Sequence, residues 1–170
     1  MRAQLLPVQL PTAQLPAAQP HVRSRFFEYQ LPVVVWLLSI FFFSTDAFST
    51  IETSKIILPA LRYVFPTLSY EELQFWHMVI RKLAHMTEYA VLATLAYRCF
   101  SSGQIDLSDS RVRTIGFVLM VALMDEWHQR FTALRGASIV DVSYDCLGGV
   151  GALGLIGLYE TWRLRSHSIL

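Results

Sequence analysis

Four apolar stretches, residues 31–48, 76–98, 114–131 and 140–160, set the limits on what this chain can fold into. Each approaches the roughly 20 residues that a helix needs to cross about 30 Å of hydrocarbon. The expected fold is therefore all-α, an integral membrane four-helix bundle. A mean hydropathy of +0.41 fits that class better than a soluble domain.

Net charge is only +1, which gives no reason to expect a nucleic-acid partner held by phosphate neutralisation. The distribution of basic residues is more informative. Arg2, Arg23 and Arg25 precede the first stretch, Arg98, Arg111 and Arg113 border the second loop, and Arg163 and Arg165 follow the fourth. Lys55, Arg62, Arg130 and Arg135 fall on the other side. A bias of this sign places both termini in the cytoplasm of a multi-pass protein of the plasma (inner) membrane.

Residues 1–28, rich in Gln, Leu and Pro, read as a disordered tail with no uninterrupted apolar core. Residues 29–162 form the four-helix domain, and 163–170 a short cytoplasmic tail. The segment from Ile51 to Thr67 reads as a loop along the outer interface. Ser69-Tyr70-Glu71-Glu72 has capping-box spacing, so the second helix is predicted to start there and run to about Phe100. Asp109 or Ser110 is the predicted cap of the third. Glycines 148, 149, 151, 154 and 157 suit close helix packing in a membrane. Cys99 and Cys146 lie at different depths and are expected to be free thiols.

The third stretch, IGFVLMVALM, ends abruptly in DEWHQRF, at residues 125–131. At about 1.5 Å per residue, His85 lies roughly 20 Å from the cytoplasmic boundary at Arg98. Asp125 lies roughly 18 Å from Arg113, and Asp145 roughly 22 Å from Glu160, so three helices carry ionisable residues at one level. On a helical wheel Lys82, His85 and Tyr89 share one face, Asp125, Glu126 and Gln129 another, and Asp141 and Asp145 a third. An uncompensated Asp or Lys at bilayer depth costs about 2.5–3.5 kcal/mol or more. These residues are consequently expected to meet in a polar pocket that opens outward.

Three readings of that pocket stay open. Lys82 and Arg135 paired against Asp125, Glu126, Asp141 and Asp145 could serve only to fix helix register, in a structural or assembly role. The same set could bind a polar head group, with Arg135 as a fork for phosphate or carboxylate and Lys82 as a point charge, which suits a phospholipid or a lipid-linked cell-wall precursor. If chemistry occurs there, His85 is the candidate general acid or base, oriented by Asp125 or Glu126, in a hydrolase or transferase reaction. A metal held by Asp125 with His128, or by His85 with Glu88, is disfavoured because Lys82 and Arg135 repel a cation. No metal or cofactor is expected.

The pattern K82-x-x-H85-x-x-x-Y89, D125-E126-x-x-Q129-x-F131-x-x-x-R135-x-x-S138-x-x-D141 and D145-x-x-G148 resembles the VanZ-like membrane proteins over roughly residues 30–160. The resemblance implies a small multi-pass membrane protein of the cell envelope, in a family named for teicoplanin resistance. It marks Lys82, Tyr89, Gln129, Arg135, Ser138, Asp141 and Asp145 as ligand-binding candidates beside His85, Asp125 and Glu126. Met86, Ala133 and Asp145 depart from the usual aromatic residue, proline and asparagine. The extra carboxylate at Asp145 changes the charge of the pocket.

Overall fold

The computed structural model describes residues 25–103, 106–134 and 138–167. The expected N-terminal tail, through residue 24, lies outside them, as does Arg135. Among the described residues the chain is all-α, with no strand. A π-helical turn, Phe26–Gln30, leads into α1 (Leu31–Phe43), with Pro32 in the first turn where its missing N–H has no helical partner to lose. After a short 3-10 turn at Asp46–Phe48 come α2 (Thr50–Val64), α3 (Tyr70–Ser101), α4 (Leu107–Gln129) and α5 (Ile139–His167).

Two sequence expectations are corrected. The segment read as a loop is the helix α2, capped by the Ser49 side chain, which accepts the Glu52 N–H. The cap of α4 is Asp106, whose carboxylate accepts the Ser108 N–H and hydroxyl, rather than Asp109 or Ser110. Satisfying the free amides of the first turn from further upstream extends the helix by one turn.

The capping box that begins α3 is present in full. Glu72 accepts the Ser69 N–H at 2.7 Å while Ser69 Oγ accepts the Glu72 N–H at 3.2 Å. Hydrogen bonds from the Ser69 backbone and then its hydroxyl hold the Glu72 carboxyl below its usual range. A carboxyl held low stabilises the fold above its ordinary range, and that contribution is lost as pH falls through the lowered value. Ser69→Ala is expected to speed amide exchange over the first turn of α3 by roughly fivefold, measured by hydrogen–deuterium exchange.

α3 and α5 form the most extensive helix pair, and α4 packs against both. Their shared core is Tyr89, Leu92, Ala93, Val118, Val121, Ala122 and Val142, joined from α1 by Val33 and Ile40. α1 is tied to α3 by the Trp36 indole, which donates to the Glu88 carbonyl at 2.8 Å. α2 lies on the first half of α3. Arg81 donates to the Phe48 carbonyl and the Thr53 hydroxyl, both at 2.9 Å, and the fully buried His77 ring lies 3.2 Å from the same hydroxyl. At the opposite end Glu160 of α5 accepts from Tyr97 of α3 at 2.9 Å and from Arg111 of α4 at 2.6 Å.

Closest approach occurs where α5 meets α3 at Gly148. A Cβ there would sit 2.1 Å from the Met86 carbonyl oxygen, so only glycine fits. Cys99 and Cys146 are free thiols.

Among the described residues, two helical segments, Phe26–Phe43 and Ile139–Ser166, are long and apolar enough to cross a membrane, with mean hydropathies of 1.7 and 1.5. The expectation was four. The apolar runs of α3 and α4 are interrupted by Arg81, Lys82 and Glu88 and by Asp125 and Glu126.

Candidate functional site

The buried residues of α4 are Ser110, Thr114, Val118, Val121, Ala122, Asp125, Glu126 and Gln129. Their spacing of three and four keeps them on one face, so the stripe that packs the core in mid-helix becomes acidic at its end. Leu119, Met120, Leu123, Met124 and Trp127 take the opposite, exposed face. Over its last turns the helix is therefore apolar outside and polar inside.

α3 brings Lys82, His85 and Tyr89 to this end at the same three-and-four spacing, and α5 brings Asp141 and Asp145. Lys82 Nζ lies 3.3 Å from Asp141 Oδ1 and 4.0 Å from the centre of the Tyr144 ring. His85 Nδ1 lies 3.6 Å from Asp145 Oδ1. Gln129 donates to Asp125 at 3.0 Å. Asp125, Asp145 and Tyr89 are all but sealed, at 1%, 1% and 0% exposure, whereas Lys82 and Asp141 keep about a third of their side chains exposed.

The described flanks of the segment between α4 and α5 are tied to this end of the bundle. Ser138 donates its backbone N–H to Glu126 Oε2, and its hydroxyl accepts the Val140 N–H, capping α5. From the other side Asp46 accepts the Ala133 and Leu134 N–H groups at 3.2 and 3.0 Å. Two carboxylates distant in sequence thus grip both described flanks of the segment that carries Arg135.

The cluster borders two cavities. One, of 240 Å³, lies between α2 and α3 and includes Arg81, His85 and Glu88 in its wall. The other, of 310 Å³, lies between α4 and α5 and includes Glu126, Trp127, Arg130 and Ser138. The Tyr89 hydroxyl and both oxygens of Asp145 have no hydrogen-bond partner among the described residues. Buried polar atoms are normally satisfied, so these retain capacity for a guest molecule or water. The arrangement offers a cation at the rim, carboxylates within, and an imidazole between them that can take or give a proton.

Of the sequence candidates, Lys82, His85, Tyr89, Asp125, Glu126, Gln129, Ser138, Asp141 and Asp145 all lie at this end of the three-helix core. Asp145, from α5, is a carboxylate within ion-pair distance of His85. His128 is exposed and edge-on to Phe41, with ring centres 6.1 Å apart. Tyr144, absent from the sequence candidates, stands beneath Lys82; its place three residues after Asp141, on the same helical face, was the available signal.

A family model described as VanZ/LLP1 matches residues 29–160. No curated protein and no solved structure matches the chain. The match covers well over half of the sequence, and the chain belongs to the VanZ/LLP1 family.

Proposed function

Given that membership, we propose that this is a multi-pass protein of the plasma (inner) membrane, with α1, α3, α4 and α5 as spans, α2 along the outer interface and both termini in the cytoplasm. Its outward-facing pocket binds the polar head of an envelope lipid or lipid-linked cell-wall precursor. The observation that carries the reading is the reversed polarity of α4, with Asp125, Glu126 and Gln129 buried and Leu119, Met120, Leu123 and Met124 exposed. In water that arrangement would bare a continuous apolar surface. In hydrocarbon it is favourable, and intramembrane ionisable residues gathered inside a bundle mark functional sites. Arg25, Arg98, Arg111 and Arg163 cluster toward the end held by Ser102 and Glu160, which supports the orientation.

In this pocket Lys82 and Arg135 meet the phosphate or carboxylate of the head group, and Tyr89, Gln129, Ser138 and Asp141 complete the lining. Where the bound lipid is also modified, His85 moves the proton, oriented by Asp145, with Asp125 and Glu126 behind it. One observation favours the rival, purely structural role: Lys82–Asp141 and His85–Asp145 both bridge α3 and α5, as register pins would.

His85→Gln, Asp125→Asn and Arg135→Lys separate the two. The binding reading expects near-normal folded yield in detergent. It also expects loss of teicoplanin tolerance, the phenotype for which the family is named, and for His85→Gln a fall of about 10²-fold or more in any catalysed turnover. Collapse of yield in all three would instead assign the cluster to scaffolding.

A further inference from the structure

The polar cluster continues into an apolar groove between α3 and α5, with a volume of 590 Å³. It starts one helical turn inward of the cluster, since Met86 lies four residues after Lys82, and Leu147 and Gly148 three and four after Tyr144. From Leu83 to Leu95 it runs along about 18 Å of α3, toward the cytoplasmic end. Its base includes Gly148, Gly151 and Ala152.

Two of its glycines have different reasons to be there. Gly148 is required by packing, since a Cβ would strike the Met86 backbone. Gly151 is not, since a Cβ there would find nothing within 4 Å. The bare Cα of Gly151 leaves room in the groove and does nothing for helix contact.

Polarity along the groove also has a direction. One turn outward along the same two helices come Lys82, four residues before Met86, and Tyr144, three before Leu147, with the Lys82 ammonium over the Tyr144 ring and 3.3 Å from Asp141; the groove's own walls carry only apolar and threonine side chains. Charge at one end of a long apolar channel is complementary to an amphiphile with one chain aligned along the bilayer normal.

We infer that the α3–α5 groove receives one hydrocarbon chain of the lipid whose head contacts Lys82, so that the ligand enters the site sideways from the outer leaflet. The inference rests on the lipid-binding reading above and narrows it to ligands with a chain directly beneath the head group, excluding water-soluble head-group analogues. Lipid tails gain no hydrophobic drive by leaving bulk lipid for a groove. The groove therefore acts sterically, by admitting a chain where the head must sit.

The test uses the full chain in nanodiscs of phosphatidylethanolamine and phosphatidylglycerol containing phosphatidylglycerol with a mid-chain diazirine. Photo-crosslinking is mapped by mass spectrometry, and lipid retained after transfer to detergent is measured on the same samples. The wild type is expected to crosslink within residues 147–156 and to retain lipid. Lys82→Ala should lose the retained lipid. Gly151→Phe, and independently Thr87→Phe from the facing wall, should lower crosslinking and retention by about tenfold with unchanged thermal midpoints.

If Lys82→Ala releases lipid while both groove-filling variants keep it, the groove inference is overturned and the head-group site stands. If the wild type retains no lipid, or Lys82→Ala changes nothing, the site reading falls and the groove with it. A Gly151→Cys variant that oxidises to a covalent dimer, with no lipid crosslink in the groove, would make a second copy of the chain the occupant and overturn the inference.

Discussion

Gly148→Val should destabilise the fold more than a substitution at any other glycine of α5. The Cβ of any residue at this position would lie 2.1 Å from the Met86 carbonyl oxygen and within 2.9 Å of its Cα, both backbone atoms that no rotamer change can move. α3 and α5 must then separate along the contact that dominates the bundle. Overpacking of a core costs about 1–3 kcal/mol when side chains can yield, and this contact belongs at or beyond the upper end. A loss of about 3 kcal/mol lowers the thermal midpoint of a chain this size by roughly 6–12 °C. Gly151→Val, three residues on, meets nothing within 4 Å and should leave the midpoint unchanged. Gly149→Ala falls between them, because the atom it would meet is the Cγ1 of Val118, at 2.9 Å, which can turn away. Thermal unfolding of the three variants in one detergent checks the order. Equal loss at Gly148 and Gly151 would mean that the glycines act together as a flexible stripe rather than by contact.

Asp46→Ala combined with Glu126→Ala should release the loop between α4 and α5 while leaving the helices in place. Asp46 accepts two backbone N–H groups on one side of that loop, and Glu126 accepts one on the other. Hydrogen bonds to a charged acceptor contribute about 1.5–3 kcal/mol, and a tenfold change in exchange corresponds to about 1.4 kcal/mol. Amides of Ala133, Leu134 and Ser138 are expected to exchange at least about tenfold faster in the double variant, with the interior of α4 unaffected. Since the loop carries Arg135, the same variant should lose head-group binding without losing the fold. Unchanged exchange at these amides would show that the two carboxylates do not hold the loop.

Much of this arrangement was legible in the chain because ionisable residues inside apolar runs are conspicuous. Lys82, His85, Asp125, Asp141 and Asp145 each stood at helical spacing near the same end of their runs. The capping box at Ser69 announced the start of α3 for the same local reason. α2 was missed although Ser49-Thr50-Ile51-Glu52 has the same spacing, because Pro59 and scattered polar residues deny the segment an apolar run. Asp106, Asp109 and Ser110 were three competent caps within five residues, and only the packed helix selects among them.

The partner of His85 was beyond sequence reasoning for a different reason. Each helix shows its own polar face, but which faces meet depends on how the helices are rotated about their axes. Gly148 on Met86 sets the approach of α3 and α5, and Asp145 lies 3.6 Å from the imidazole. The role of Asp46 was equally hidden, since its targets are backbone amides 87 and 88 residues away.

Thiol labelling in right-side-out membrane vesicles tests the central claim, a polar site enclosed by lipid-facing helices and open to the outside. Single cysteines are placed at Lys82, Asp141, Met120 and Leu155 in a chain whose Cys99 and Cys146 are serine, and a membrane-impermeant maleimide is added from outside. By exposure alone the order would favour Met120 and Leu155, at 49% and 69%, over Lys82 and Asp141, at 31% and 34%. Lipid cover reverses that order: positions 82 and 141 should label, and 120 and 155 should stay unlabelled until the membrane is dissolved. Rapid labelling at 120 and 155, or labelling of 82 and 141 only from the cytoplasmic side, would contradict it.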